Sequence, residues 1–425
     1  MMKTPVGSIS RREFLGRSAG VVVLGMAPSG ARAASAEPAL TMAILERSLA
    51  AARFPGAVAA LGGDFDEPTF VSRGVIAFDS DRLAGPDTLW RIFSMTKPVT
   101  GMAAMLLIGE GRLRLDQPVA EFIPAFGDLR VLTDPAGLQS RPAKVKLTVR
   151  HLLTHTGGFG YAGQMPEPLT AAYLRLGLNP GRGGEAGPSS SPPIAPSLAE
   201  FADRLATLPL LSEPGARWNY SLGIDLLGRV IEIASGQPFD LFLQQRFFDP
   251  LEMRSTGFAV STHDAAQLAG NYRRDGDKLA LVDPGPTSVF LEKPPFPFGG
   301  SGLVSTARDY DHFLAMLAHK GIYKGRRIMP ADVVAAGLSN LLPAGVDFQP
   351  YRALMRIDTD GFGAGGSVTL SGPGAGEYGW SGLAGTVARV SPERGWRGAG
   401  YINVINEYGL LASLPPAFRQ DSEIA

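Results

Sequence analysis

The stretch Ser94-Met95-Thr96-Lys97 sets a hydroxyl and an amine three residues apart. On a helix, residues at that spacing share a face. A serine presented this way can attack a carbonyl carbon while the neighbouring amine handles the proton. Pro98 follows at once, and proline is accepted in a helix only within the first turn. The helix therefore starts near Ser94, fed by an apolar strand-like run from Leu89 to Phe93 and continued by an apolar helical run from Val99 to Ile108. A helix start offers unpaired N–H groups and a partial positive charge, both suited to a developing oxyanion. Four letters of this kind also arise by chance on surface helices. The weight comes from what surrounds them.

Two further stretches carry polar groups in places a loop or strand can aim. Tyr220, in Trp218-Asn-Tyr-Ser-Leu-Gly-Ile-Asp225, sits just ahead of an amphipathic helix. A phenol near an ammonium group gives up its proton more readily and can relay it. Equally, a half-buried tyrosine uses its hydroxyl as a polar tip and does nothing more. The segment Tyr378-Gly-Trp380-Ser381-Gly382-Leu383 is a strand in which small residues replace the expected bulk. Glycine in a strand marks close approach by a ligand or another backbone. A backbone N–H there can form half of an oxyanion hole.

The elements that must position these groups follow from periodicity. Residues 40–52 predict an amphipathic helix, and Gly56–Leu61 and Thr69–Ile76 predict two strands. Pro118–Phe126 is a short helix or turn, and Leu147–Gly158 a short helix ending in glycines. Residues 163–195, rich in Gly, Pro and Ser, are expected to form a long loop at the rim of a site. Helices are expected again at Ser197–Leu208, Gly223–Ser235 and Ala307–His319, and strands at Tyr378–Val390 and Gly398–Ile405, with a helical end. Strands, then a helical middle, then strands predict an α+β protein whose sheet draws on both chain ends. The expected division is a sheet part at about 40–110 and 300–425 and a helical part at about 111–299.

At 425 residues, 45% hydrophobic and 19% charged, the chain is of globular type and long enough for a large core. Its formal net charge is zero, with no basic face or charge block of the kind that grips nucleic acid. Residues 1–33 are expected to be a twin-arginine signal peptide. They contain Ser10-Arg11-Arg12-Glu13-Phe14-Leu15, an apolar run Ala19–Met26 too short to span a bilayer, and a small-residue cleavage site at Ala31-Arg32-Ala33. Its removal takes away five basic residues against one acidic one and leaves 34–425 with a net charge of about −4. The expected location is periplasmic or secreted, with no membrane span in the processed chain. The absence of cysteine excludes disulfides, thiolate metal sites, a cysteine nucleophile and a lipid-bearing cysteine.

Taken together, Ser94-x-x-Lys97, Tyr220-Ser-Leu and Trp380-Ser-Gly382 resemble the penicillin-recognising serine hydrolases: class C β-lactamases, family VIII carboxylesterases and their relatives. The resemblance runs from about Gly56 to Asn406. It takes in Arg150-His-Leu-Leu-Thr-His-Thr-Gly-Gly158, Asp249-Pro-Leu-Glu-Met-Arg-Ser-Thr256 and Gly300-Ser-Gly-Leu-Val-Ser-Thr-Ala-Arg-Asp309. It implies a β-lactamase/DD-peptidase-like fold, an antiparallel sheet flanked by helices with a mainly helical subdomain. It implies Ser94 as nucleophile, Lys97 as its partner and Tyr220 as proton relay. The Ser94 and Leu383 N–H groups would then be oxyanion donors, and Trp380, Ser381, Gly382, Tyr161 and Leu222 substrate contacts. Two departures bear on substrate. Leu222 stands where class C β-lactamases carry an asparagine, and Trp380 where they carry the lysine that holds the antibiotic's carboxylate. An uncharged wall suits an ester better. The expected activity is ester cleavage through an acyl-enzyme on Ser94, the partner a small-molecule ester or amide. The rivals are β-lactamase or DD-peptidase activity, acyl transfer, and a ligand-binding relative that catalyses nothing. Two proton routes stay open: a neutral Lys97 takes the serine proton, or a charged Lys97 favours a Tyr220 phenolate.

Other signals fail. Gly16-Arg-Ser18-Ala-Gly20 has the nucleophile-elbow spacing but lies in the signal segment. Gly361-Phe-Gly-Ala-Gly-Gly366 and Gly374-Ala-Gly-Glu-Tyr-Gly379 match a dinucleotide fingerprint without a strand before and a helix after. His151 and His155 lack the glutamate a zincin needs, so they read as structural. No cofactor or metal is expected.

Overall fold

The computed structural model describes residues 38–52, 54–63, 67–179, 181–182 and 194–424. The expected signal peptide, residues 1–33, and the glycine- and serine-rich residues 183–193 lie outside the described residues. The main sheet has seven antiparallel strands in the order Asp360–Phe362, Ser367–Thr369, Tyr378–Gly382, Thr386–Ser391, Trp396–Tyr401, Gly56–Gly63 and Thr69–Gly74. The two chain ends meet where Val58 lies opposite Tyr401 and Leu61 opposite Gly398.

Both faces of the sheet are covered. Successive strand residues point to opposite sides. Ala57, Ala59, Val71 and Trp396 face one cluster with Leu45 of the helix Ala39–Ala52 and with Leu410, Leu414 and Phe418 of the helix Tyr408–Ile424. Val58, Ala388 and Tyr401 face the main core with Phe313 and Leu317 of the helix Ala307–Ala318. That core continues without a break into the helical middle, through Leu169, Phe201, Leu227 and Phe242. Its axis is the helix Thr96–Gly109, in which every residue from Thr96 to Leu107 is buried. A helix apolar all round belongs in an interior. Among the described residues no helix is long and apolar enough to cross a membrane.

The elements differ from expectation in four places. The stretch expected as a loop at 163–195 contains a helix, Glu167–Arg175, which starts after Pro166 and buries Leu169, Ala172 and Tyr173. The expected strand Tyr378–Val390 is a hairpin that turns at Gly385, φ +69°. The expected strand Gly398–Ile405 breaks at Asn403, φ +49°, after which Val404–Ile405 leaves the sheet and pairs in parallel with Asn271–Asp275. That last strand forms a hairpin with Lys278–Asp283 inside the region expected to be helical, turning at Gly276.

Among the described residues two ion pairs are fully buried. Arg397, on a central strand, makes a two-pronged contact with Asp311 of the covering helix at 2.8 and 3.0 Å. Arg91 donates to Asp283 at 2.6 Å and to Ser288, and so fastens the segment after the hairpin to the strand that leads into Ser94. Burial pushes the Asp311 carboxyl up against the pull of Arg397, so the pair is held at a desolvation cost. Asp311→Ala, which strands the guanidinium, should lower the unfolding free energy by roughly 3–5 kcal/mol in urea denaturation. The double replacement Asp311→Leu with Arg397→Met should cost clearly less than that single one.

Candidate active site

Ser94 sits in the short 3₁₀ turn Phe93–Met95, between the strand Trp90–Arg91 and the helix Thr96–Gly109. The turn is tight because Phe93 adopts a positive φ of +40°, a strained state for a bulky residue. Its ring is pinned among Ala384, Ile405 and Phe290, so packing holds what local preference resists. The strand Tyr378–Gly382 passes directly alongside. A Cβ on Gly382 would lie 2.3 Å from both the Ile92 carbonyl oxygen and Thr386 Oγ1, so only glycine fits. The close approach that the small residues signalled is therefore that of the nucleophile turn. Leu383 follows at once, half-buried and in the same apolar cluster as Phe93. Among the described residues neither the Ser94 nor the Leu383 N–H is engaged by a backbone acceptor.

Three distant side chains converge on the serine oxygen. Lys97 Nζ donates to Ser94 Oγ at 3.1 Å and to the Gly300 carbonyl at 2.7 Å. Tyr220 Oη lies 2.7 Å from the same Oγ. Trp380 Nε1 donates to Tyr220 Oη at 3.2 Å. The indole was expected only as an apolar wall; it is also a hydrogen-bond donor to the phenol. Lys97 is fully buried, with Nζ 4.6 Å from the Tyr220 ring centre and 5.5 Å from that of Tyr161. Ser94 is 8% exposed. Tyr161, Tyr220 and Ser381 are half-buried around it.

Leu222 corrects an expectation. It is the residue before the helix Gly223–Ser235, and its side chain is wholly buried in the main core, so it lines no substrate cleft. An asparagine at this position has reason to face a wet cleft; a leucine gains by turning inward.

The glycine-rich entry to the helix Ala307–Ala318 wraps the nucleophile helix. Thr100 Oγ1 donates to the Gly299 carbonyl at 2.7 Å, the Leu303 N–H donates to Thr96 Oγ1 at 3.1 Å, and the Ile92 N–H donates to the Leu303 carbonyl. The Gly300 N–H donates to Asp225 Oδ1 at 2.9 Å. Asp225 and Gly300 were not singled out from the sequence, though an acid between Ile224 and Leu226 in a buried helix face was the available signal. The phrases Asp249–Thr256 and Gly300–Asp309 touch one another, since Ser255 N–H and Thr256 Oγ1 both donate to Asp309 Oδ2.

The two histidines are structural. His151 Nδ1 accepts from the Thr148 N–H at 3.2 Å, and burial lowers its pKa to about 4. His155, at φ +56°, holds its ring 4.8 Å from that of Tyr220, tilted by 58°, and reaches Ser221 Oγ. Burial, then the nearby Lys97, holds it well below its usual pKa and hence neutral. The residues 361–366 form a hairpin bend between two sheet strands, with no helix after them. Among the described residues no group of histidines and carboxylates is arranged to hold a metal ion.

This fold and this grouping are those of the active-site serine proteins built on an antiparallel sheet with flanking helices. The family model described as Beta-lactamase matches residues 42–409. The chain is 35% identical over 321 residues to Protein Rv1367c of Mycobacterium tuberculosis, covering 72% of this chain and 75% of that protein. It is 33% identical over 285 residues to Esterase EstB of Burkholderia gladioli, covering 63% and 66%. In structure it is similar to EstCE1, a hydrolase with promiscuous acyltransferase activity, at a TM-score of 0.72, 23% identity, 90% of this chain and 97% of that one. The chain belongs to the beta-lactamase family.

The buried neutral His151 sets a pH dependence. Its folded pKa of about 4 lies below the ordinary 6.5, so the unfolded chain binds the extra proton and stability is lost as pH falls from 6.5 toward 4. Asp225, raised to about 6 chiefly by burial, acts with the opposite sign in the same window. The measurement is therefore a difference between variants: His151→Asn should flatten the acid loss by up to about 1.4 kcal/mol per pH unit between those limits, read by denaturant unfolding across pH.

Proposed function

We propose that this protein is a serine carboxylesterase working through an acyl-enzyme on Ser94. The observation that carries the reading is the pair of contacts on one oxygen, Tyr220 Oη at 2.7 Å and Lys97 Nζ at 3.1 Å. Ser94 Oγ attacks the ester carbonyl carbon as its proton passes to the Tyr220–Lys97 pair. The tetrahedral oxyanion rests on the Ser94 and Leu383 N–H groups. Collapse breaks the bond to the alcohol, which takes the proton from Tyr220 and leaves. Water then attacks the acyl-enzyme, Tyr220 receives its proton, and the acid departs with Ser94 restored. The Trp380 N–H stabilises the negative charge that the Tyr220 oxygen carries whenever it has given its proton up.

Substrate class follows from what surrounds the serine. Trp380 supplies a neutral donor where β-lactamases place a lysine, and Tyr161 and Tyr220 add aromatic surface. These features favour uncharged esters over carboxylate-bearing β-lactams, and the 33% identity to Esterase EstB supports the same preference. The twin-arginine pattern at Arg11-Arg12 supports work outside the cytoplasm, in the periplasm or beyond.

A fluorophosphonate probe should add one label to the wild type and none to Ser94→Ala, read by intact mass, and p-nitrophenyl butyrate should be turned over faster than nitrocefin. Faster nitrocefin turnover would replace the esterase reading with a β-lactamase one, and a new ester on adding an alcohol would make it a transferase. Tyr220→Phe should lose about 10²–10⁴-fold in kcat/KM. Trp380→Phe, which deletes one hydrogen bond, should lose about tenfold in kcat with KM within about twofold.

A further inference from the structure

Lys97 is 0% exposed, and its ammonium needs a partner of opposite charge. Among the described residues its contacts are neutral: the Ser94 hydroxyl, the Gly300 carbonyl and the faces of Tyr220 and Tyr161. The groups that face it from the packed elements are His155, held neutral; the phenols of Tyr161 and Tyr220; and Asp225, on the first turn of the helix that follows Tyr220. Asp225 is the one carboxylate in this set. It is 1% exposed, and while Oδ1 accepts the Gly300 N–H, its other oxygen, Oδ2, has no hydrogen-bond partner among the described residues. Gly300 is held by both main-chain groups, its N–H by Asp225 and its carbonyl by Lys97. A Cβ there would come 2.6 Å from Asp225 Oδ2, so glycine lets the carboxylate lie flat against the loop.

We infer that Asp225 is the buried counter-charge of Lys97, set against it across Gly300, whose N–H it accepts and whose carbonyl the amine holds. Asp225 touches no reacting atom; it is a positioning residue acting through Lys97 and Gly300. The inference rests on the esterase reading for its kinetic consequence only, since the placement of Asp225 and Lys97 about Gly300 exists without substrate. Burial raises the Asp225 carboxyl to about 6 while Lys97 and the Gly300 N–H pull it back, so the carboxylate is ionised at neutral pH. A purely structural helix-cap or loop-clamp role would ask only for an acceptor at Oδ1, which an asparagine supplies equally well.

The experiment has two arms. In the first, ¹⁵N-lysine NMR of the wild type and of Asp225→Asn follows the Lys97 Nζ signal, identified by its loss in Lys97→Arg. The wild type should show a charged ammonium across pH 7–9, and Asp225→Asn should lose that charge at least one pH unit earlier. A neutral amine in the wild type at pH 7, or an unmoved titration in the variant, would overturn the inference whether or not any ester is cleaved. In the second arm, the kcat/KM profile for p-nitrophenyl butyrate should keep its shape in the wild type but have its alkaline limb moved to lower pH in Asp225→Asn, with kcat down about 10- to 100-fold and KM within about threefold. A wild type that cleaves no ester would sink the esterase reading alone. An active Asp225→Asn with an unmoved limb would sink the counter-charge. If Asp225→Asn does not fold, Gly300→Ala, which pushes the carboxylate aside without removing it, should move the limb the same way, and an unmoved limb there counts equally against it.

Discussion

An amine with no access to water is the constraint from which the site is built. Lys97 projects from a helix buried along nearly its whole length, where an unsatisfied polar group would be costly. Everything nearest to it meets that need: a carbonyl from the glycine-rich loop, the serine oxygen and two aromatic faces. Because those partners come from far apart in the chain, satisfying one side chain draws the nucleophile turn, the loop at 299–303 and the segment ahead of the helix Gly223–Ser235 into register. The chemistry is then a by-product of the packing. The serine oxygen that helps to solvate the amine is the one that a substrate carbonyl would meet.

Strain and tight fit support the same arrangement from the other side. Phe93 holds an unfavourable backbone angle because its ring is locked into a small apolar cluster, and Gly382 allows a strand to run against that turn. Arg91, three residues before the serine, is anchored by Asp283, Ser288 and the Ala269 carbonyl. The nucleophile is thus held between a polar anchor upstream and a rigid helix downstream. Preorganisation of this kind leaves little to rearrange when charge develops on a bound carbonyl.

What the sequence conveyed about the site was its local part. Ser94 and Lys97 were legible because helical spacing and Pro98 both act over a few residues, and Tyr220 because it precedes a clear amphipathic run. The sheet drawn from both ends was legible in the same way, from the order of the periodic segments. Trp380 as a donor and Asp225 as a neighbour of Lys97 were hidden because each depends on an approach across more than a hundred residues of chain. Leu222 misled for a related reason: its place beside Tyr220 was read from position in a motif, while its burial was decided by the core behind it. The helix Glu167–Arg175 was masked by flanking glycines and prolines that speak for turns, and the hairpin at Asn271–Asp283 by short strands with few buried residues.

The first helix is tied to the last. The Leu40 and Thr41 N–H groups donate to Asp421, 381 and 380 residues away, and the strand Gly56–Gly63 finds one of its two neighbours only at Trp396–Tyr401. On the ribosome, the first strand pair must wait with one edge open until residues 396–401 have been made. Such late closure lengthens the time during which an unpaired strand can find the wrong partner. It also means that a chain cut short before Trp396 lacks the strand that joins the two parts of the sheet, and with it the platform on which the serine turn rests.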